Sequence, residues 1–185
     1  MAVIEELNRE DETIIIFTSD NGSFRGAHGL NGKWIMYEES IRVPLIIRDP
    51  RTAAKLRGTR RQEMALNIDI APTILSMAGM GADAGMQGRD LTALMTGKKV
   101  AWRDDWFYEH TYKTPSTRLP IARSEGVRGN RWKYVRYADT QPVYEQLFDL
   151  KSDSIERNNL IGKAEHRETL NRLRRRCDGL KKAAA

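Results

Sequence analysis

The run Thr13-Ile14-Ile15-Ile16-Phe17, closed by Ser19-Asp20-Asn21-Gly22, constrains the fold more than any other feature of the chain. Five β-branched or apolar residues without polar alternation read as a strand buried on both faces, and such strands belong to parallel sheets covered by helices. A second run, Val43-Pro44-Leu45-Ile46-Ile47, repeats the pattern, with Pro44 suited to the first residues of a strand. Two strands of this kind do not close a doubly wound sheet, because the run around Ile15 needs neighbours on both edges. The chain is therefore expected to be the second part of a larger α/β structure.

The remaining pattern fits that expectation. Val3, Ile4 and Leu7 fall at helical spacing. Residues 68–78 predict a helix with Asp69 as N-cap, Pro72 in the first turn and Gly79 at the left-handed position after the end. Leu91, Leu94 and Met95 mark a short helix. Residues 127–137 and 144–150 are rich in aromatic and β-branched side chains, and Gly129-Asn130 supplies a tight turn; together they predict an antiparallel hairpin with a third strand. Leu170, Leu173, Cys177 and Leu180 recur at intervals of three and four, the apolar stripe of a helix whose other face is basic and solvated. The expected organisation is an α/β part over residues 1–100, then a C-terminal subdomain over residues 101–185 with a small antiparallel sheet and an amphipathic helix.

A composition of 40% apolar and 30% charged residues over 185 positions suits a globular domain, neither fibrous nor disordered. The net charge of +6 raises the question of an anionic partner, and the position of the charge answers it. Residues 1–100 carry 13 basic and 13 acidic side chains, residues 101–185 carry 18 and 12, and Arg172, Arg174, Arg175, Arg176, Lys181 and Lys182 make up most of the excess. The charge belongs to one helix, so no nucleic-acid partner is expected. The longest uninterrupted apolar run, Ile14 to Phe17, is far short of the roughly 20 residues that span a bilayer, and no membrane partner is expected either. A single cysteine, Cys177, excludes an internal disulfide and a cysteine-based zinc cluster.

Chemistry concentrates after the first strand. Asp20 and Asn21 stand at its carboxyl end, where open α/β sheets place ligands. A carboxylate beside a carboxamide offers two hard oxygens to Ca²⁺ or Mg²⁺; Asp20-Asn21-Gly22 is equally an ordinary turn. Asn21-Gly22-Ser23 also matches a glycosylation acceptor, a role incompatible with metal ligation by Asn21. Four glycines, at positions 22, 26, 29 and 32, leave His28 and Lys33 on an open loop. There Lys33 is a point positive charge and His28 a donor for an anion, or else both are ordinary surface residues. Further on, Trp106-Phe107-Tyr108-Glu109-His110-Thr111-Tyr112 suits stacking on a sugar ring with His110 reaching its hydroxyls, and equally describes a strand that packs its aromatics inward.

The order Phe17-Thr18-Ser19-Asp20-Asn21-Gly22, Gly26-Ala27-His28-Gly29-Leu30, Gly32-Lys33-Trp34 and Tyr37-Glu38-Glu39-Ser40-Ile41-Arg42-Val43-Pro44-Leu45-Ile46-Ile47 resembles the C-terminal half of the catalytic domain of type I sulfatases. Asn67-Ile68-Asp69-Ile70-Ala71-Pro72-Thr73, Gly126-Val127-Arg128, Trp132-Lys133-Tyr134 and Tyr144-Glu145-Gln146-Leu147-Phe148-Asp149-Leu150 extend the likeness, which covers roughly residues 13–160. The resemblance implies the C-terminal part of an alkaline-phosphatase-like α/β/α fold, with a small antiparallel sheet and a C-terminal helix. It also implies hydrolysis of sulfate esters with a calcium ion and a formylglycine made from Cys or Ser in a Cys/Ser-x-Pro-x-Arg motif. On it, Asp20 and Asn21 become metal ligands, Lys33 binds the sulfate group and His28 touches the substrate.

No Cys/Ser-x-Pro-x-Arg motif occurs in the chain, since Cys177 is followed by Asp178-Gly179-Leu180. The expectation is a sulfatase part with half an active site, inactive alone and completed by a missing N-terminal half, whose partner is a sulfated small molecule or glycan. The alternatives are a phosphodiesterase or phosphonate monoester hydrolase of the same superfamily, or a non-catalytic remnant that binds a cation or an anionic glycan. Compartment stays open: a periplasmic or secreted location suits the full-length family, and a signal would lie ahead of Met1.

Overall fold

The computed structural model of the protein describes residues 2–113 and 121–184. In chain order its elements are α1 (Ala2–Glu6), β1 (Ile15–Phe17), α2 (Glu38–Ile41), β2 (Ile46–Arg48), α3 (Ile70–Met77), α4 (Thr92–Met95), β3 (Asp105–His110), β4 (Ser124–Gly129), β5 (Trp132–Tyr137), β6 (Tyr144–Asp149) and α5 (Arg167–Ala184). They form two compact units, residues 1–20 with 44–103, and residues 21–43 with 104–185. The glycine-rich loop thus groups with the C-terminal sheet.

In the first unit β1 and β2 pair antiparallel, with Ile15 opposite Arg48, Ile16 opposite Ile47 and Phe17 opposite Ile46. This corrects the expectation of parallel strands buried on both faces. An unbroken apolar run reports burial, not direction, so it leaves the pairing of the two strands open. Phe17 and Ile46 remain 58% and 61% exposed, so the double burial that the runs predict is not realised within the described residues. Arg48 ties the pair to the preceding segment by donating to the carbonyls of Glu10 at 2.6 Å and Thr13 at 3.2 Å.

Asp69 departs from its expected capping role. Its backbone is already helical (φ −78°, ψ −16°), inside a tight turn that begins at Asn67. The fully buried carboxylate instead reaches back to the Leu66 N–H at 2.8 Å, accepts the Arg89 N–H at 2.8 Å and pairs with both terminal nitrogens of Arg103. Gly79 does take the left-handed position after α3 (φ +75°), and Met80 donates back to Leu75 at 2.8 Å to close the helix.

In the second unit β3, β4, β5 and β6 form one antiparallel sheet in sequence order. The hairpin and third strand expected from the sequence are β4, β5 and β6; the turn centres one residue later, on Asn130-Arg131, because Gly129 still pairs with Asp105. Val127, Tyr134 and Leu147 lie opposite one another across three strands, and Leu170, Leu173 and Cys177 of α5 pack on that row. The basic side of α5 is only partly solvated: Arg174 pairs with Glu145, Arg176 with Asp105 at 2.7 Å and Lys181 with Glu125 at 2.5 Å. Much of the positive charge that the helix carries is therefore matched by carboxylates of the sheet beneath it.

The opposite face of the sheet receives the glycine-rich loop. Gly126 admits Met36, because a Cβ there would lie 2.7 Å from the Met36 sulfur and 2.4 Å from the Tyr134 carbonyl oxygen. Burial in the α5 row pushes the Cys177 thiol up to about 11. At pH 8 an aromatic disulfide reagent is expected to leave Cys177 unmodified in the native protein and to titrate one thiol after unfolding, a reaction read by absorbance.

Candidate active site

The site residues arise where β1 ends. Asp20 closes the first segment of its unit, its carbonyl held by Asn67 Nδ2 at 2.7 Å and its Oδ1 3.4 Å from the Ser19 hydroxyl. Gly22 follows because nothing larger fits: its N–H donates to Ser40 O at 2.8 Å, and a Cβ would stand 2.0 Å from the Glu39 carbonyl oxygen.

Asn21 and Lys33, twelve residues apart, are brought together. Asn21 Nδ2 donates to Gly22 O at 2.8 Å, which turns Oδ1 the other way, and Lys33 Nζ donates to that oxygen at 2.5 Å. The loop between them is built from left-handed turns at Arg25, Gly26, His28, Gly29 and Gly32, and Phe24 is buried beneath it, its N–H donating to Gly32 O at 2.9 Å.

His28 is held in place by its neighbours. Its ring stacks on Tyr37 at 4.0 Å with 20° between the planes, and Nε2 lies 3.4 Å from Glu39 Oε2. Burial raises the Tyr37 phenol, which accepts from Gln146 Nε2 at 2.8 Å and so remains a neutral platform for the imidazole. Sequence reasoning singled out His28 but neither Tyr37 nor Glu39, which fix its orientation.

His110 ends β3, stacked on Trp34 at 6.3 Å with 17° between the planes. Its Nε2 is buried and takes no hydrogen bond among the described residues. Of the aromatic stretch, Phe107 packs against the row beneath α5, Trp106 and Tyr108 meet edge to face at 6.3 Å, and both Tyr108 and Tyr112 join His110 at Trp34.

The loop is locked to the sheet by charge. Lys133 in β5 is 0% exposed, with Nζ 2.8 Å from both Glu38 and Glu156 and donating to Met36 O at 3.0 Å. Glu156 also accepts the Glu38 N–H at 2.7 Å, and Arg128 Nη2 meets Glu38 at 3.2 Å. Two cations and two carboxylates balance, so burying them is tolerable only while all four remain. Burial pushes the Glu38 carboxyl up, but Lys133 and Arg128 outweigh it and hold the group below its ordinary value. For Glu156 burial wins and its carboxyl stays raised. This cluster escaped sequence reasoning, because a lysine in a strand carries no sign that it faces inward.

Among the described residues no three His, Cys, Asp or Glu side chains gather as a metal site, and no helix is long and apolar enough to cross a membrane.

A chain so arranged has the architecture of the alkaline-phosphatase-like hydrolases. Residues 26–183 match the family described as N-sulphoglucosamine sulphohydrolase, C-terminal. The chain is 37% identical over 166 residues to an N-acetylglucosamine-6-O-sulfatase of Bacteroides thetaiotaomicron, an alignment covering 88% of this chain and 29% of that protein. A protein solved in complex with its substrate D-glucosamine-2-N,6-O-disulfate superposes with a TM-score of 0.87 at 32% identity, over 98% of this chain and 36% of that one. The phosphonate monoester hydrolase of Agrobacterium radiobacter superposes at 0.85 with 26% identity, over 100% of this chain and 38% of that one. The chain belongs to the sulfatase family, as its C-terminal part. It spans about a third of the length of the curated relatives it matches.

Proposed function

We propose that the chain is the C-terminal part of a sulfuric ester hydrolase acting on sulfated sugars, in which Lys33 binds the sulfate group. The observation that carries this reading is the contact of Lys33 Nζ with Asn21 Oδ1 at 2.5 Å, which sets a cation and a hard oxygen side by side after β1. A carboxamide oxygen already oriented toward positive charge also fits a metal ligand, and Asp20 and Asn21 would hold a calcium ion. Two residues supply fewer oxygens than calcium takes, so further ligands, and the formylglycine nucleophile, would come from outside these 185 residues. Bound there, the ion would supply charge stabilisation to the sulfate oxygens.

The chain's own residues bind and orient the substrate. Lys33 neutralises the sulfate and favours the charge that grows on the departing oxygen, a stabilisation preorganised by its hold on Asn21. His28, oriented by Tyr37 and Glu39, donates to the substrate, and His110, the other substrate-binding candidate, stacks on Trp34.

Two measurements test the reading. The 185-residue chain is expected to bind glucosamine 6-sulfate by calorimetry, with roughly tenfold weaker affinity for Lys33→Ala, the loss expected of a charge-assisted hydrogen bond. It is expected to release no nitrophenol from nitrophenyl sulfate by itself, and clear release would overturn the assignment of the nucleophile to another segment. Reading the coding frame upstream of Met1 completes the test: an in-frame Cys/Ser-x-Pro-x-Arg supports the hydrolase, whereas an immediate stop leaves a non-catalytic binder of cation or anionic glycan. The likeness to a phosphonate monoester hydrolase favours a second reading, phosphoryl chemistry at the same lysine. Tighter binding of phenyl phosphonate than of the sugar sulfate would select it.

A further inference from the structure

Among the described residues of the second unit, Trp34 is the bulkiest side chain held at a positive φ. It sits at φ +84°, a backbone region that bulky side chains rarely adopt, directly after Gly32 at φ +78° and Lys33. Glycine would occupy that position without strain. The tryptophan is nevertheless 42% exposed, so burial of its indole does not explain its presence.

The surroundings over-determine its position. His110 stacks against the indole at 6.3 Å and 17°, and Tyr112, 56% exposed, meets it edge-on at 6.4 Å and 72°. Tyr108 donates to the Trp34 carbonyl at 3.4 Å, and burial pushes its phenol up to about 12, which keeps that donor protonated. Strain maintained by three neighbours, in the residue next to an anion-binding lysine, is the pattern of a preorganised ligand contact. An indole offers a broad apolar face with a negative quadrupole, suited to the C–H face of a sugar ring or to an amino group carried on it. A bare anion has no use for such a face.

We infer that Trp34, backed by His110 and flanked by Tyr112, is a stacking platform for the pyranose ring of a sulfated amino sugar whose sulfate is held by Lys33. This rests on the assignment of Lys33 given above and adds the residue that selects a sugar over other sulfate esters. Trp34→Gly separates the platform from the fold, since glycine relieves the backbone at φ +84°.

The experiment compares the 185-residue chain with Trp34→Gly and Trp34→Phe, titrating each by calorimetry with glucosamine 6-sulfate and with inorganic sulfate, and checking the fold by circular dichroism. Trp34→Gly is expected to keep its spectrum, to bind the sugar sulfate about fivefold more weakly and to bind inorganic sulfate unchanged. Trp34→Phe should recover part of the loss. Equal weakening toward both ligands, or none, overturns the platform and leaves Trp34 as a support for the loop. If the unaltered chain binds sulfate but the sugar sulfate no better, the platform fails while the Lys33 reading survives. If it binds neither, the Lys33 reading falls and the platform with it.

Discussion

Replacing Lys133 with methionine is expected to remove about 3–5 kcal/mol of stability, the cost of leaving buried carboxylates without their cation. Lys133 stands 2.8 Å from Glu38 and from Glu156 in a site closed to solvent, and Arg128 reaches only the first of them. A urea titration followed by tryptophan fluorescence reads the loss. The double variant Lys133→Met with Glu156→Gln should recover part of it, because one uncompensated charge is then gone. A single variant that unfolds within about 1 kcal/mol of the native protein would mean that water reaches the cluster.

The pH dependence follows from the same groups. Glu38 is pushed up by burial yet held below its ordinary 4.5 by Lys133 and Arg128, so its contribution to stability is present above 4.5 and is lost as the pH falls through the lowered value. In Lys133→Met only Arg128 remains, and the acid loss should begin at a higher pH. Glu156, raised by burial, runs the other way: its contribution is complete below 4.5 and is lost as the pH rises through its folded value. The variant's deficit should therefore be larger near neutral pH than in mild acid.

In the first unit Asp69→Ala is expected to cost a similar amount, about 3–5 kcal/mol. The change orphans the N–H groups of Leu66 and Arg89 and strands the Arg103 guanidinium, whose side chain is almost buried. Arg103 lies 5.3 Å over the Trp102 ring, and Trp102 Nε1 donates to Met64 O at 2.8 Å, so indole emission should report the loosening. Asp69→Asn keeps one acceptor oxygen and should fall between the two. A loss below about 1 kcal/mol for Asp69→Ala would show that the carboxylate caps rather than organises this unit.

How far the sequence could be read depended on the kind of signal. The stripe of Leu170, Leu173, Cys177 and Leu180 announced α5, since one apolar face in 3.6 residues has one stable use. The aromatic and β-branched runs announced β4, β5 and β6, with the turn displaced by one residue. Asp20, Asn21, His28 and Lys33 were legible as a group because glycines and charged residues crowd a short segment. Lys133, Glu156 and Trp34 were not: each acts through partners far away in the chain, or through a backbone angle, and neither leaves a trace in local pattern.

The sequence alone determined that α3, α5 and the strands β4, β5 and β6 form, and the family resemblance, because periodicity, turn residues and motif order are local properties. Only the tertiary structure decided that β1 and β2 run antiparallel, that Asp69 gathers Leu66, Arg89 and Arg103, and that the loop of Lys33 is bolted to β5 through Lys133. Those outcomes turn on which distant groups meet in a low-dielectric interior, where an unpaired charge or N–H costs far more than it does in water.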